Sequence, residues 1–232
     1  MRLDKFLCEC GRGSRKEIKK AVKAGIVRVN GEAVKKSDLQ VDEESDRVEY
    51  NGVPVVYRRY VYFMLNKPAG YVSATEDKRY PAVTELVPEE YAHYEVYPVG
   101  RLDIDTEGLL VLTNDGQYAH EMTSPAKNIY KTYFARLDRP AEAADIEAFA
   151  AGMEFSDFTA KPAVLELTEN PTEVYISIRE GKFHQVKRMC AKVGKEVLYL
   201  KRIRIGDMCL DPALEPGEIK DITEEIGGWR KQ

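Results

Sequence analysis

The sequence predicts an α+β protein in two parts, a small basic domain over residues 1–58 and a larger domain over residues 59–232. Three observations carry this. The first 60 residues hold two short helix patterns and two Asn-Gly turn signals, enough for a module of their own. After a linker at Arg58-Arg59-Tyr60, strand and helix patterns follow one another along the remaining chain. The composition, 44% apolar and 32% charged over 232 residues, suits a soluble globular protein of one large domain, or of a small and a medium one.

In the first domain, Leu3, Phe6, Leu7 and Cys10 have the i, i+3, i+4, i+7 spacing of a short amphipathic helix, which Gly11 and Gly13 break. Ser14-Arg15-Lys16-Glu17 is a capping box that opens a second helix. Ile18, Ala21 and Val22 share its buried face, Lys16, Lys19, Lys20 and Lys23 spread over the others, and Gly25 ends it. Residues 26–29 read as a strand entering the Asn30-Gly31 hairpin turn. A second turn, Asn51-Gly52, joins residues 47–50 to residues 53–57.

In the second domain, residues 61–65 read as a strand and residues 66–70 as a loop before residues 71–74. Lys67 in that loop is open to two readings, a surface lysine or a contact to phosphate. Residues 75–94 are polar and acidic, a peripheral loop with one short helix at 82–87. A helix at 117–123, a half-buried strand at 129–137, an amphipathic helix at 141–151 and strands at 161–167 and 173–178 follow. Next comes a glycine, then a helix with Phe183, Val186, Cys190 and Val193 at core spacing. Residues 203–210, a turn at Pro216-Gly217 and a tail helix near 223–229 complete the domain.

Net charge is −4, which by itself argues against a nucleic-acid partner, but its distribution argues for one. Residues 1–36 carry a net +7 and residues 182–204 another +7, leaving −18 for the rest. Two basic islands on an acidic body suit a polyanion held at defined places. No apolar run approaches the roughly 20 residues that span a membrane, and no secretory signal is evident. Cys8, Cys10, Cys190 and Cys209 have no metal-site spacing, so reduced thiols in the cytoplasm are expected. There is no P-loop and no dinucleotide fingerprint.

Residues 98–116 are the chemical centre. Gly100 and Gly108 bracket a polar loop carrying Arg101, Asp103, Asp105 and Thr106, and Leu109-Leu110-Val111-Leu112 then runs as a buried strand into the Asn114-Asp115-Gly116 turn. A carboxylate fixed on such a loop can serve as nucleophile or base. On the residues alone, aspartates bonded to their own turn are the commoner outcome. Arg101 could equally form a structural ion pair with Asp105, and Tyr133 could be a core tyrosine. His93 and His120 have no partner pattern.

Gly100-Arg101-Leu102-Asp103 with Thr106 and Gly108-Leu109 resembles the catalytic motif of the RsuA-type pseudouridine synthases, which isomerise uridine in ribosomal RNA. Lys131-Thr132-Tyr133 matches the family's second motif, and the run from Glu180 through Phe183-His184-Gln185-Val186-Lys187-Arg188 to Met189 its third. Residues 63–70 resemble the start of the family's catalytic domain. Arg2-Leu3-Asp4-Lys5-Phe6, Ser14-Arg15 and Val27-Arg28-Val29-Asn30-Gly31 resemble an S4 RNA-binding domain.

The resemblance, which covers nearly the whole chain, implies an S4-like domain followed by a synthase domain with a mixed, mainly antiparallel sheet flanked by helices. It implies Asp103 as the catalytic carboxylate, Tyr133 as the aromatic packed on the target base, and Lys187 as the basic partner of Asp103. Many related synthases have arginine at that last position; lysine keeps the charge and loses bidentate geometry. Arg101, Thr106, Lys131, His184, Gln185 and Arg188 are implied contacts to the flipped base or the RNA. Arg2, Lys5, Arg12, Arg15, Lys16, Lys19, Lys20 and Arg28 are implied contacts of the S4-like domain.

Within the family the opening and the Gly100–Thr106 run look most like the member acting on small-subunit RNA. That implies a cytoplasmic monomer, free of metal and cofactor, converting a uridine (position 516) of 16S ribosomal RNA in an assembling small subunit. The alternatives are the same chemistry on 23S ribosomal RNA, or a non-catalytic RNA-binding or assembly protein.

Overall fold

Local signals become local structure at the N-terminus. In the computed structural model, which describes residues 1–230, Leu3–Glu9 forms α1 and Arg15–Lys23 forms α2. The capping box closes in both directions, with Ser14 Oγ accepting from the Glu17 amide and the Glu17 carboxylate accepting from the Ser14 amide. The strands are β1 (Val27–Val29), β2 (Glu32–Ala33), β3 (Val48–Tyr50) and β4 (Val53–Val55). They pair antiparallel in the order β2-β1-β3-β4. Both Asn-Gly pairs have positive φ, the backbone that a two-residue hairpin turn requires. Leu3, Phe6 and Leu7 of α1 meet Ile18, Ala21 and Val22 of α2 over Val27, Val48 and Val55. Residues 1–61 pack as one unit that also takes in residues 87–95. There the ring of His93 lies against Gly11, where an added Cβ would come within 2.7 Å of Nδ1.

The second unit contains residues 62–86 and the chain from Val96 onward. Its strands are β5 (Tyr62–Lys67), β6 (Tyr97–Pro98), β7 (Glu107–Thr113), β8 (Lys131–Leu137), the short hairpin β9 (Met153–Glu154) and β10 (Thr159–Ala160), β11 (Val164–Leu167), β12 (Glu173–Ile178), β13 (Val197–Ile205), β14 (Met208–Cys209) and β15 (Ile219–Asp221). The helices are α3 (Gly116–Thr123), α4 (Ala143–Ala151), α5 (Gln185–Lys192) and α6 (Thr223–Arg230). The main sheet runs β11-β12-β8-β13-β7-β5-β15, with β14 on β13 and β6 on β7. Every pairing is antiparallel except β13 with β7. The fold is therefore α+β with a mixed, mainly antiparallel sheet.

Several sequence expectations are corrected here. β5 does not stop at Leu65 but runs through Asn66 and Lys67, both fully buried, so Lys67 is no surface lysine. Residues 71–74 hold a single bridge, Val72 to Ala82, and no strand. The short helix at 82–87 is a 3₁₀ turn, Val83–Leu86, and a second one covers Glu89–Tyr94. β7 does end at Thr113, before Asn114-Asp115-Gly116 as expected, and Asp115 then caps α3 by accepting from the Gln117 and Tyr118 amides. Phe183 lies outside α5 and is 70% exposed, so it is no core residue. The β9–β10 hairpin was not foreseen.

The centre of the sheet is where the 98–116 stretch lodges. Leu109, Leu110, Val111 and Leu112 on β7 are completely buried. At the start of β7, Gly108 faces Arg202 of β13 in register, at φ +100. A Cβ there would sit 2.2 Å from the Arg202 carbonyl oxygen, so the parallel pairing itself demands glycine.

Candidate active site

The loop between Gly100 and Glu107 is held from beneath. Lys67, at the end of β5, points its ammonium at three backbone carbonyls: Pro68 at 2.9 Å, Thr106 at 2.8 Å and Ile104 at 3.3 Å. The Gly70 amide donates to the Ile104 carbonyl at 2.7 Å. Ser73 Oγ donates to the Leu102 carbonyl and accepts from the Leu102 amide, both at 3.0 Å. The Thr106 amide donates to the Asp103 carbonyl at 3.1 Å. Six of the loop's backbone groups, the amides of Leu102 and Thr106 and the carbonyls of Leu102, Asp103, Ile104 and Thr106, are thus tied before any ligand arrives, which fixes where the Asp103 carboxylate can stand. Burial lowers the Lys67 pKa to about 8, against the pull of Asp105, Glu107 and Asp103. Lys67, Gly70 and Ser73 thus hold the loop in place from outside the motif that bears Asp103. The readable signal was a lysine directly continuing an apolar strand.

Asp103, Tyr133 and Lys187 come from three distant stretches and line one cavity of about 430 Å³. Asp103 is partly exposed, with its carboxylate 3.6 Å from Lys187 Nζ and 3.7 Å from His184 Nε2. Lys187 Nζ is closer to Asp105, at 2.6 Å. The expected Asp103–Lys187 pair is therefore a three-body arrangement, one ammonium between two carboxylates. Burial raises the Asp105 pKa, but the Lys187 hydrogen bond and charge outweigh it and leave Asp105 below the ordinary carboxylate value. Tyr133 is buried on β8, opposite Arg202 on β13 and Ile176 on β12.

The other named positions divide. Arg101, Thr106, His184 and Gln185 line the same cavity. Arg101 makes no ion pair with Asp105, which Lys187 occupies. Thr106 is buried, and its hydroxyl has no hydrogen-bond partner among the described residues. His184 stands in left-handed backbone before α5, stacked on the exposed Phe183 ring at 3.8 Å. Gln185 is buried and braces the loop, donating to Glu180 at 2.9 Å and accepting from the Lys182 amide at 3.0 Å. Arg188 is not brought to the cavity: it pairs with Asp157 and lies over the Phe155 and Phe158 rings. Lys131 does not line this cavity either, but a neighbouring one. Of the N-terminal residues, Arg2, Lys5, Arg12, Arg15, Lys16, Lys19, Lys20 and Arg28 are all exposed. Arg2 is held by Asp4, at 2.6 and 3.1 Å.

A loop-borne carboxylate beside an ammonium and a buried tyrosine, in a chain with a basic N-terminal module, is the arrangement that the sequence led one to expect of an RNA-modifying enzyme. The comparisons agree. A family model for RNA pseudouridylate synthase matches residues 61–192, and an S4 domain model matches residues 1–48. The chain is 47% identical over 229 residues to an uncharacterized RNA pseudouridine synthase of Bacillus subtilis, covering 97% of this chain and 96% of that one. It is 43% identical to ribosomal small subunit pseudouridine synthase A of Escherichia coli, covering 97% of each. A crystal structure of a pseudouridylate synthase superposes with a TM-score of 0.68 at 38% identity, covering 97% of each chain. The chain belongs to the RNA pseudouridine synthase family, whose members are isomerases that convert uridine to pseudouridine in RNA. No helix among the described residues is long and apolar enough to cross a membrane.

Proposed function

We propose that this protein isomerises one uridine of 16S ribosomal RNA in the assembling small subunit, at the position that the family resemblance implies (516), acting as a cytoplasmic monomer without metal or cofactor. The S4-like domain, residues 1–58, grips the RNA, and residues 59–232 carry the chemistry. The observation that supports this best is the convergence of Asp103, Tyr133 and Lys187 on one cavity, together with likeness along the whole chain to a small-subunit synthase.

Pseudouridine formation breaks the bond between uracil N1 and ribose C1′, turns the base and joins its C5 to C1′; the C5 hydrogen is lost and a ring nitrogen gains one. Asp103 acts on the ribose, where a carboxylate meets developing positive charge. Uracil leaves as a delocalised anion and stays bound, so one carboxylate suffices. Tyr133 forms the wall that retains it. Lys187, 3.6 Å from Asp103, offers that carboxylate a counter-charge when RNA excludes water. The atoms involved are inaccessible within a stacked helix, so the uridine is flipped out, with Arg101 helping to extrude it and the fixed loop receiving it.

Pseudouridine mapping on small- and large-subunit ribosomal RNA tests this, using wild type and Asp103→Ala with no cofactor added. One new site in small-subunit RNA, absent with the variant, is expected. A site in large-subunit RNA would overturn the substrate assignment, and an unchanged level with Asp103→Ala would overturn the role of Asp103.

A further inference from the structure

A second cavity, of about 260 Å³, shares Arg101, Tyr133 and Lys182 with the first. Its other charged residues are Lys131, Arg202 and Glu180, so four cations face one carboxylate. One oxygen of that carboxylate is engaged elsewhere, Glu180 Oε1 accepting from the Lys161 amide and the Gln185 side chain, both within 2.9 Å. Arg202 is only 3% exposed. Its Nε donates to the Leu109 carbonyl at 2.8 Å, and its Nη2 has no hydrogen-bond partner among the described residues. Lys131, half-buried, makes one long contact to the Ile129 carbonyl at 3.3 Å. Neither cation pairs with a carboxylate among the described residues. Beyond burial, the charge acting on Lys131 is Arg202, which is also positive and helps to lower its pKa.

A buried cation and a half-buried one placed together with neither paired to a carboxylate are costly, and a protein tolerates them where an anion completes the site. Val99, Met122 and Ile205 add apolar wall, so the cavity accepts a compact anion carried on an organic body. We propose that it is a phosphodiester pocket, in which Lys131 and Arg202 receive a backbone phosphate of the RNA next to the flipped uridine. This rests on the RNA-modifying reading above and deepens it: Tyr133 separates the base from the phosphate, and Arg101 touches both chambers. Lys131 is then a positioning residue for the strand, acting one chamber away from the reacting base.

The test is a phosphate-neutralisation series on the RNA segment that wild type modifies. Single methylphosphonate linkages are placed in turn at the phosphates flanking the target, and affinity is measured for wild type and Lys131→Gln. In wild type one position should weaken binding about tenfold, the worth of one charge-assisted hydrogen bond. In Lys131→Gln the same linkage should cause a clearly smaller loss, since only Arg202 remains to meet the phosphate, while Asp103→Ala should keep the full wild-type sensitivity. Equal sensitivity at all positions in wild type, or an undiminished effect in Lys131→Gln, would overturn the proposal. The wild-type series stands without any variant, so misfolding cannot rescue the idea. Failure of wild type to form pseudouridine in any RNA would instead defeat the underlying reading, and it is seen before the series begins.

Discussion

Lys67 and Lys187 show what a lysine does when the fold decides its surroundings. Lys187 sits between two carboxylates, with Asp105 taking the short contact. Asp105 thereby holds Lys187 near Asp103, at a distance that a bound ribose can alter. Lys67 has no adjacent carboxylate within bonding distance among the described residues and spends its charge on the Pro68 carbonyl and on two carbonyls, Ile104 and Thr106, of the loop that bears Asp103. Its pKa of about 8 lies below the ordinary lysine value of 10.5, so between those limits the unfolded chain holds a proton that the folded chain has released. Stability therefore rises as pH increases from about 8 towards 10.5, by up to about 3 kcal/mol, and the penalty is complete below pH 8. A neutral amine has two donors in place of three, so the loop loosens over the same range. Urea denaturation and single-turnover rates across pH 7 to 10.5 should thus move in opposite directions in wild type, stability up and rate down. Lys67→Met should flatten the stability trend relative to wild type; a parallel trend in both proteins would show that Lys67 is not its source.

The elements that were legible in the sequence are those made by neighbours in the chain. The capping box, both Asn-Gly hairpins and the apolar run of β7 each depend on a few adjacent residues, and each formed where expected. β13 is different. Its nine residues carry Lys201, Arg202 and Arg204, and its partners β7 and β8 lie some 60 residues or more away in the chain. Its charges conceal a central strand, because Arg202 is buried by what surrounds it rather than by its own polarity. Loop-holding Ser73 and Gly70 were invisible for the same reason, their partners being residues 102 and 104. Gly108, read from sequence as a loop hinge, is also the contact point of the parallel pair. Gly108→Ala should cost about 3 kcal/mol through both its φ and its collision with the Arg202 carbonyl. Gly217→Ala, at φ +95 with open space around it, should cost about 1 kcal/mol. Equal urea midpoints for the two variants would mean that β7 and β13 relax apart at no cost.

At the scale of the molecule, the two basic islands turn out to be unlike. Every Lys and Arg within residues 1–36 is exposed. In the second island Lys195 is buried against Asp145 at 2.7 Å, Arg202 is buried, Lys187 is held by Asp105, and Arg188 by Asp157. Counting charges along a sequence cannot make that distinction, because the neutralising acids come from other elements. It follows that the N-terminal module should supply most of the salt-sensitive, sequence-independent grip, while the second island shapes the catalytic unit from within. Lys19 and Lys20 stand on the exposed side of α2, whose apolar residues face the core and do not depend on them. Replacing both by alanine should leave the fold intact and reduce the slope of log affinity against log salt by about 1.5, the counterion release of two phosphate contacts. The single-turnover rate at saturating RNA should stay within about twofold of wild type, since binding is then complete and the reactive loop is untouched. An unchanged slope would place the RNA elsewhere on the molecule, and a slope change accompanied by a large fall in the saturated rate would mean that the module also positions the uridine for reaction.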